Sequence, residues 1–451
     1  MPTTCPSPWP ARPSSSTSLD ASKRRARRPR RWWTATPRPP LGPRPTHSCG
    51  SSLPLPSRLP TRRPSPRARR PDVRALRPIL RALLLLPILL SGPAAGAGRA
   101  KGRVRTERVI PRRPTYLWHR ALNEPAPLEY APRERAAPRW DARTGAIYVG
   151  DRFGTFYALD AAGHTRWTWR AKGPIEAEAV LSGDRVYVVS TAGEVVALDR
   201  HTGRALWRYR IEAELATPPT LAGDLLLVPS LGDTVTALDA ARGTFRWFYR
   251  RPPPPGMTIR GAAGVRVAGE TVYTAFSDGT VVALEGSTGN VVWERTFGAS
   301  GGFVDIDTTP CVLGDRLYVA SYAGTLMALD RRTGTLVWSA PTVQGAMHLA
   351  CAERRLLVLG PGAVWAHDRT LEGQVVWRTR VPGGPPSLPA LAGGRLVFGT
   401  EEGGVFALSV ATGRPLRAFA PGPGVAAPPA LGPSGAVVFS NGGWLYRIAW
   451  R

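Results

Sequence analysis

The feature that most constrains this chain is a unit of about 40 residues that recurs eight times between Ile147 and Arg451. Each unit contains a short apolar strand, a glycine turn, Ala-Leu-Asp or a variant of it, a Thr-Gly turn and a tryptophan strand, the later copies being degenerate. Equivalent positions are Leu159, Leu198, Leu238, Leu284, Leu329, His367, Leu408 and Ile448, so the steps are 39, 40, 46, 45, 38, 41 and 40 residues. This period, with several short strands per unit, is typical of a β-propeller.

Each unit is predicted to form a four-stranded blade. In the second unit we expect strands at 177–181, 186–190, 194–199 and 205–209, joined by turns in which glycine supplies a positive φ. The eighth unit ends without its Thr-Gly turn and tryptophan strand, but residues 115–118 contain the missing Leu-Trp pair. We therefore predict an all-β, eight-bladed β-propeller of four-stranded blades, whose last blade is closed by an N-terminal strand.

Two side chains recur at fixed places in the unit. Six tryptophans follow the turn glycine by four residues, and six equivalent rings indicate packing between blades because a ligand site needs one distinctive copy. They are Trp167, Trp207, Trp247, Trp293, Trp338 and Trp377. The seventh unit has Arg417 there, so we expect that blade to pack less tightly. The aspartates of the Ala-Leu-Asp triplets are predicted to make turn hydrogen bonds.

The charge is distributed unevenly along the chain. Residues 1–113 contain 26 Lys and Arg against 3 Asp and Glu, whereas residues 114–451 contain 34 against 29, so most of the net charge of +28 lies outside the repeats. We expect no nucleic-acid binding by the repeats, because they are nearly neutral and no basic stripe is expected to follow the period. Residues 1–72, rich in Arg, Pro and Ser, are predicted to be disordered. Alternatively, translation starts at Val73 and this extension is not part of the natural protein.

Residues 73–97 have the three parts of a signal peptide: a basic region, an apolar core at 82–90 and small residues at 95–97. The core is shorter than the roughly 20 residues of a transmembrane helix, so we predict export, with an uncleaved membrane anchor as the alternative. Residues 98–113 are assigned to a linker and residues 114–451 to the propeller.

Cys311 and Cys351 precede the same strand in successive units and are therefore expected on the inner strands of neighbouring blades. An exported compartment permits a disulfide, but neighbouring blades splay apart and disulfide geometry is strict. We therefore expect two unpaired, buried thiols.

The sequence contains no recognisable catalytic or metal-binding constellation. The histidines are scattered without metal-ligand spacing, no Gly-x-Ser-x-Gly turn is present, and the glycine-rich stretches lack a strand-to-helix context. We therefore expect a protein that is not an enzyme and has no cofactor.

The 46- and 45-residue steps mark two long connections between an outer strand and the next inner strand. The first contains Met257, Ile259 and Arg260, and the second contains Asp305 and Asp307. Both should emerge on the same face of adjacent blades, where an apolar centre with flanking charges predicts a protein-docking patch. An equally weighted alternative is that Arg260 pairs with one of the aspartates and only ties the two connections together.

The repeat and three short segments resemble those of a known protein family. The repeat is similar to the pyrroloquinoline-quinone-type propeller repeat over about residues 114–451. Residues 304–310 (Val-Asp-Ile-Asp-Thr-Thr-Pro), 257–261 (Met-Thr-Ile-Arg-Gly) and 444–448 (Trp-Leu-Tyr-Arg-Ile) resemble elements of the BamB family of outer-membrane protein assembly factors.

The resemblance implies a non-catalytic periplasmic scaffold that binds no quinone and acts as a monomer within a complex. Its implied partners are the periplasmic domains of the BamA-like central barrel protein and nascent outer-membrane proteins. Met257 and Ile259 would supply apolar contacts, and Arg260, Asp305 and Asp307 polar ones.

The chain departs from the family in its signal sequence, because Leu-Ser-Gly at 90–92 is followed by Pro93 where members carry an acylated cysteine. We therefore expect no lipidation at this site and an association with the outer membrane through partners. Two other readings remain. A quinoprotein dehydrogenase using pyrroloquinoline quinone and Ca²⁺ would in its common subclass need a vicinal cysteine pair, which is missing. A secreted propeller could instead bind another protein or a glycan.

Overall fold

The computed structural model describes residues 115–124, 129–130, 132–252, 262–297 and 305–449. Within these ranges the regular elements are 32 β-strands, arranged in eight four-stranded sheets. In the part of the chain that the structure describes, nothing qualifies as a helix long and apolar enough to cross a membrane.

The strands are numbered in chain order and most contain three to six residues. Their bounds are β1 Thr115–Ala121, β2 Arg139–Trp140, β3 Ile147–Gly150, β4 Thr155–Leu159, β5 Thr165–Arg170, β6 Val180–Ser182, β7 Arg185–Val189, β8 Glu194–Asp199, β9 Ala205–Arg210, β10 Thr220–Ala222, β11 Leu225–Ser230, β12 Thr234–Asp239, β13 Phe245–Arg250, β14 Arg266–Ala268, β15 Thr271–Ala275, β16 Thr280–Glu285, β17 Val291–Thr296, β18 Cys311–Leu313, β19 Arg316–Ala320, β20 Thr325–Asp330, β21 Leu336–Pro341, β22 His348–Cys351, β23 Arg355–Gly360, β24 Ala363–Asp368, β25 Gln374–Arg380, β26 Ala390–Ala392, β27 Arg395–Gly399, β28 Val405–Ser409, β29 Pro415–Phe419, β30 Ala430–Gly432, β31 Gly435–Phe439 and β32 Trp444–Ala449.

Seven blades each consist of four consecutive strands paired antiparallel in chain order, from β2–β5 in blade 1 to β26–β29 in blade 7. Blade 8 has the order β30-β31-β32-β1, with Thr115 opposite Ala449 and Ala121 opposite Trp444. The predicted eight-bladed propeller and its closure by an N-terminal strand are confirmed. Because β1 and β32 share one sheet, the first and last described strands hold the ring shut.

The hydrophobic core is divided among the seams between neighbouring blades. The described residues form eight apolar clusters, and each combines residues of two adjacent blades. One cluster, for example, joins Val189 of blade 2 to Leu226 of blade 3. The two middle strands of a blade are therefore buried on both faces, as the continuous burial of β11 shows.

The inner strands are shorter than the sequence predicts. In blade 2 the ladder begins at Val180, paired with Tyr187, and not at Ala177. Ala177 and Ala179 are apolar because they are buried in the seams, although they precede the ladder. Burial and strand pairing coincide elsewhere in the blade, which is why the prediction for the other three strands differs by at most one residue at either end.

The repeated tryptophan lies on the glycine turn of the next blade. A Cβ atom added to Gly203, where φ is +72°, would lie 2.5 Å from Cε3 of Trp167. The indole of Trp167 also donates its N–H to the backbone oxygen of Arg200, at 3.0 Å. We call this contact the tryptophan clasp. The same pair of contacts is made by Trp118, Trp207, Trp247, Trp293 and Trp377.

Two seams differ from this pattern. Trp338 meets Gly373 through Cζ3, at the far edge of its ring. At the seam between blades 7 and 8, Arg417 takes the tryptophan position, and the rings of Tyr116, Phe419 and Tyr446 pack together there, with centroids 5.4–6.3 Å apart. That seam therefore lacks a clasp but is filled by other aromatic side chains.

The expectation of two unpaired thiols is wrong, because Cys311 and Cys351 form a disulfide. Cys311 begins β18 and Cys351 ends β22, the innermost strands of blades 5 and 6. Blades do splay apart towards the outside, but their inner strands converge on the ring axis. The two Cα atoms are consequently 6.3 Å apart, within the range that a disulfide requires.

The turn role predicted for the Ala-Leu-Asp aspartates is confirmed. The carboxylate of Asp199 accepts hydrogen bonds from the backbone N–H groups of His201 and Thr202 and from the Thr202 hydroxyl. Asp330 does the same in blade 5 with Arg332 and Thr333. These bonds favour the ionised form and lower the pKa of Asp199 and Asp330.

Candidate functional site

The two long connections join blades 3 to 4 and 4 to 5, as predicted. The first runs between β13 and β14 and the second between β17 and β18. Their described parts touch, because the backbone N–H of Gly264 donates to Oγ1 of Thr309 at 3.0 Å. Met257, Ile259 and Arg260 lie outside the described residues, so their part in this surface stays a prediction.

The second connection is fixed to blades 4 and 5 by its own residues. Ile306 is fully buried in the seam between these blades. The hydroxyl of Thr308 donates to the backbone oxygen of Ala320 at 2.8 Å and accepts from its N–H at 3.0 Å. The backbone oxygen of Asp305 accepts the N–H of Tyr322 at 2.8 Å. The residues on both sides of Asp307 are therefore held in place by blades 4 and 5.

Two neighbouring carboxylates influence the protonation of Asp307. Burial, together with the negative charges of Asp305 and Asp233, raises the pKa of Asp307 to about 7. Asp305 is almost completely buried, whereas Asp307 is partly exposed. The site therefore favours the approach of a cation, such as an arginine or lysine side chain, which would stabilise the ionised form of Asp307.

Asp233 was not singled out from the sequence. It occupies the turn position that is glycine in the neighbouring blades (Gly193, Gly279), and it adopts the corresponding positive φ of 51°. Its carboxylate accepts the backbone N–H of Ser277 at 3.2 Å and also the Ser277 hydroxyl. The sequence does mark this position: the neighbouring units have glycine as the second residue of this turn, whereas the third unit has Gly-Asp.

The root of the first connection is held by Arg251, which sequence reasoning also missed. Its guanidinium contacts Oδ2 of Asp278 at 2.6 Å and Oε1 of Glu294 at 2.5 Å. Tyr249 donates its hydroxyl to the other oxygen of Glu294 at 2.7 Å. Both acids belong to blade 4, so Arg251 ties the start of this connection to the blade that the connection enters.

A third long connection, residues 122–138, leads from β1 to β2. The spacing of the repeats does not reveal it, because it precedes the first repeat and lies where the ring closes. Glu134 is fully buried and forms an ion pair with Arg152. Burial nevertheless raises the pKa of Glu134 to about 7, and the charge of Arg152 only partly opposes this effect. Arg133 contacts Glu401 at 3.0 Å, so the connection links blades 7, 8 and 1. We interpret it as part of the ring closure.

The described residues contain no group of three or more His, Cys, Asp or Glu side chains arranged to hold a metal ion. The carboxylates of Asp233 and Asp305 are thus close enough to raise the pKa of Asp307 without forming such a group with it.

Comparison with known proteins places the chain in a family. A family model described as outer membrane protein assembly factor BamB matches residues 152–379, just over half of the chain. The outer membrane protein assembly factor BamB of Legionella pneumophila (strain Paris) is 26% identical over 202 residues, which is 43% of this chain and 52% of that protein. The chain thus matches about half the length of that curated relative.

Two solved structures share the fold. BamB from Moraxella catarrhalis aligns with a TM-score of 0.63 and 22% identity, covering 75% of this chain and 100% of that one. A quinohemoprotein alcohol dehydrogenase from Comamonas testosteroni aligns with a TM-score of 0.59 and 15% identity, covering 74% of this chain and 76% of that one. At such low sequence identities the two structures support the propeller fold alone. It is the match over residues 152–379 that shows that this chain belongs to the BamB family of outer membrane protein assembly factors.

Proposed function

We propose that the protein is a non-catalytic, periplasmic scaffold subunit of the machinery that assembles outer-membrane β-barrel proteins. Family membership and the likeness to relatives named as assembly factors support this role. The docking surface consists of the two long connections between blades 3 and 5. The observation that carries the proposal is the pair Asp305 and Asp307, on a segment fixed by Ile306 and Thr308, with the carboxylate of Asp233 from blade 3 beside it.

The partner is a periplasmic domain of the central, BamA-like barrel protein, which presents a basic side chain to Asp307. Met257 and Ile259 supply the apolar contacts and Arg260 a further polar one. Nascent outer-membrane proteins are a second, weaker class of ligand. The protein reaches the periplasm through residues 73–97 and stays at the outer membrane through its partner, since Pro93 cannot be acylated.

The experiment is affinity capture of the barrel protein from detergent-solubilised membranes by wild type, Asp307→Lys and Asp315→Lys. Asp315 is an exposed aspartate in the turn between β18 and β19, outside the docking surface, so it controls for the change in charge. We expect Asp307→Lys to reduce recovery at least ten-fold, because a charge-assisted contact becomes a repulsive one. Asp315→Lys should retain full recovery. Equal recovery by all three proteins would refute the docking role.

The alternative role of Arg260, as a tie between the connections, is tested with the charge-swapped double variant Arg260→Asp/Asp307→Arg. A tie is restored by the swap, so binding and stability would both return to wild-type values. A docking surface has its charges inverted towards the partner, and recovery should stay low. We expect the second result.

The fold is shared with a quinohemoprotein alcohol dehydrogenase, so enzymatic activity is tested directly. The purified protein is incubated with pyrroloquinoline quinone, Ca²⁺ and a panel of alcohols and sugars in a dye-reduction assay. We expect no turnover above that of the heat-denatured protein, and substrate-dependent dye reduction would overturn the non-catalytic proposal.

A further inference from the structure

The outer strands of the eight blades carry almost only positive charge. Their ranges (β1, β5, β9, β13, β17, β21, β25 and β29) contain 11 arginines, no lysine and a single acidic residue, Glu294. Residues 114–451 as a whole contain 34 Lys and Arg against 29 Asp and Glu. The net charge of residues 114–451 is thus near neutral although the outer strands, which form the outer wall of the ring, are cationic. The expectation that no basic stripe follows the repeat is therefore wrong.

The wall is most cationic across blades 1–3. Each of the strands β5, β9 and β13 carries two exposed arginines and no acid. We call this set the arginine belt; it comprises Arg166, Arg170, Arg208, Arg210, Arg246 and Arg250. Three of them, Arg170, Arg210 and Arg250, follow the clasp tryptophan by three residues. The repeat therefore places one cation at the same height on three adjacent blades.

Most of these charges are not neutralised within the described part of the protein. Arg246 is the member of the belt that forms ion pairs there, contacting Asp239 at 2.7 Å. Arg170 and Arg210 donate to uncharged oxygens, the Thr155 hydroxyl at 2.7 Å and the Ala192 backbone oxygen at 3.0 Å. Arg208 lies over the ring of Trp169 at 5.8 Å. Five positive charges consequently face outward without an acidic partner among the described residues.

Exposed apolar side chains lie between these arginines. Leu206 is 45% exposed, Phe245 47% and Phe248 59%. The two phenylalanine rings are 6.2 Å apart and form an apolar projection on β13. Aromatic and aliphatic side chains framed by arginines suit the boundary between lipid headgroups and acyl chains, where the cations meet anionic headgroups. The wall is the convex outside of a ring, whereas single-stranded nucleic acids are bound in grooves.

We propose that the arginine belt binds the surface of an anionic lipid bilayer, with blades 1–3 lying against the membrane and Phe248 inserting at headgroup level. The inference is independent of the docking surface, which belongs to the connections of blades 3–5. The arginine belt would give the chain a direct membrane contact. Such a contact does not depend on lipidation, which Pro93 excludes at the expected site.

The test is sedimentation of the full chain with vesicles of phosphatidylcholine containing 30% phosphatidylglycerol, in about 0.1 M salt. The belt variant is Arg170→Gln/Arg210→Gln/Arg250→Gln. The matched control, Arg332→Gln/Arg395→Gln/Arg414→Gln, removes three exposed arginines that lie outside the outer strands. Residues 1–113, which carry many cations of their own, are identical in all three proteins and contribute equally.

Each arginine close to an anionic surface changes the partition coefficient about five-fold, so the belt variant should bind about 100-fold more weakly than wild type. The control should bind within about three-fold of wild type, and vesicles of phosphatidylcholine alone should bind none of the proteins strongly. A second variant, Phe248→Ser, should lower the partition coefficient several-fold at unchanged melting temperature, and this loss should persist at higher salt.

Three results would overturn the proposal. Equal losses in the belt variant and the control would mean that total charge alone drives binding. Unchanged vesicle binding by both the belt variant and Phe248→Ser would remove the belt from the membrane contact. A belt variant that lost affinity for a mixed-sequence single-stranded oligonucleotide while keeping its vesicle binding would identify the belt as a nucleic-acid surface.

Discussion

The disulfide between Cys311 and Cys351 closes a loop of about 40 residues and joins blades 5 and 6 at the ring axis. Cross-linking a loop of this length removes about 13 cal/mol/K from the entropy of the unfolded chain, or about 4 kcal/mol at 25 °C. We therefore expect the variant Cys311→Ala/Cys351→Ala to lose about 4 kcal/mol of unfolding free energy. Alanine keeps the Cβ atoms in place, so the loss of packing adds little.

The assay is urea denaturation followed by tryptophan fluorescence, with oxidised wild type, wild type reduced by dithiothreitol, and the double alanine variant. The reduced protein and the variant should unfold at the same, lower urea concentration. Thiol titration of the denatured, unreduced Cys5→Ser/Cys49→Ser chain should detect no free thiol. Two titratable thiols, or coincident curves for oxidised and reduced wild type, would refute the cross-link.

The remaining predictions concern the clasp, the pH dependence and the export signal. Trp207→Ala should cost about 3–5 kcal/mol of unfolding free energy because it empties the outer part of the seam between blades 2 and 3, whereas the exposed Arg204→Ala should change it by less than about 0.5 kcal/mol in the same urea titration. Because the pKa of Asp307 is raised to about 7 in the folded state, the unfolded chain releases this proton first, and stability should fall as pH rises from about 4 to 7. Glu134, whose pKa is also raised to about 7, contributes in the same window. Asp307→Asn should therefore reduce the slope without abolishing it, and an unchanged slope would contradict the burial of this carboxyl. N-terminal sequencing of the protein recovered from the periplasm should give a start close after residue 97, and a start at or before Val73 would contradict cleavage.

Most of the fold could be predicted from the sequence because it follows from local patterns. The spacing of Leu198, Gly203 and Trp207 repeats what one blade needs: a buried strand, a turn with positive φ and a ring for the next seam. The incomplete last unit and the Leu-Trp pair at 117–118 identified the strand that closes the ring. These features depend on residues close in sequence or on an exact repeat.

What the sequence did not predict depends on how blades are arranged in space. The Cys311–Cys351 pair required the convergence of inner strands, which strand periodicity does not contain. Asp233 lies near Asp307 only because the turn of blade 3 and the second connection both bond to the Phe276–Ser277 turn of blade 4. The arginine belt was missed because charge was summed over a region; counting it by strand position within the repeat would have revealed Arg170, Arg210 and Arg250.

We propose that the second long connection docks a periplasmic domain of the barrel protein through Asp307. The most direct measurement is the affinity of that purified domain for wild type, Asp307→Lys and the control Asp315→Lys by titration calorimetry at pH 8, where Asp307 is mostly ionised. We predict at least ten-fold weaker binding for Asp307→Lys and an unchanged dissociation constant for Asp315→Lys. Equal dissociation constants for all three proteins, or a domain that binds none of them, would refute docking through Asp307.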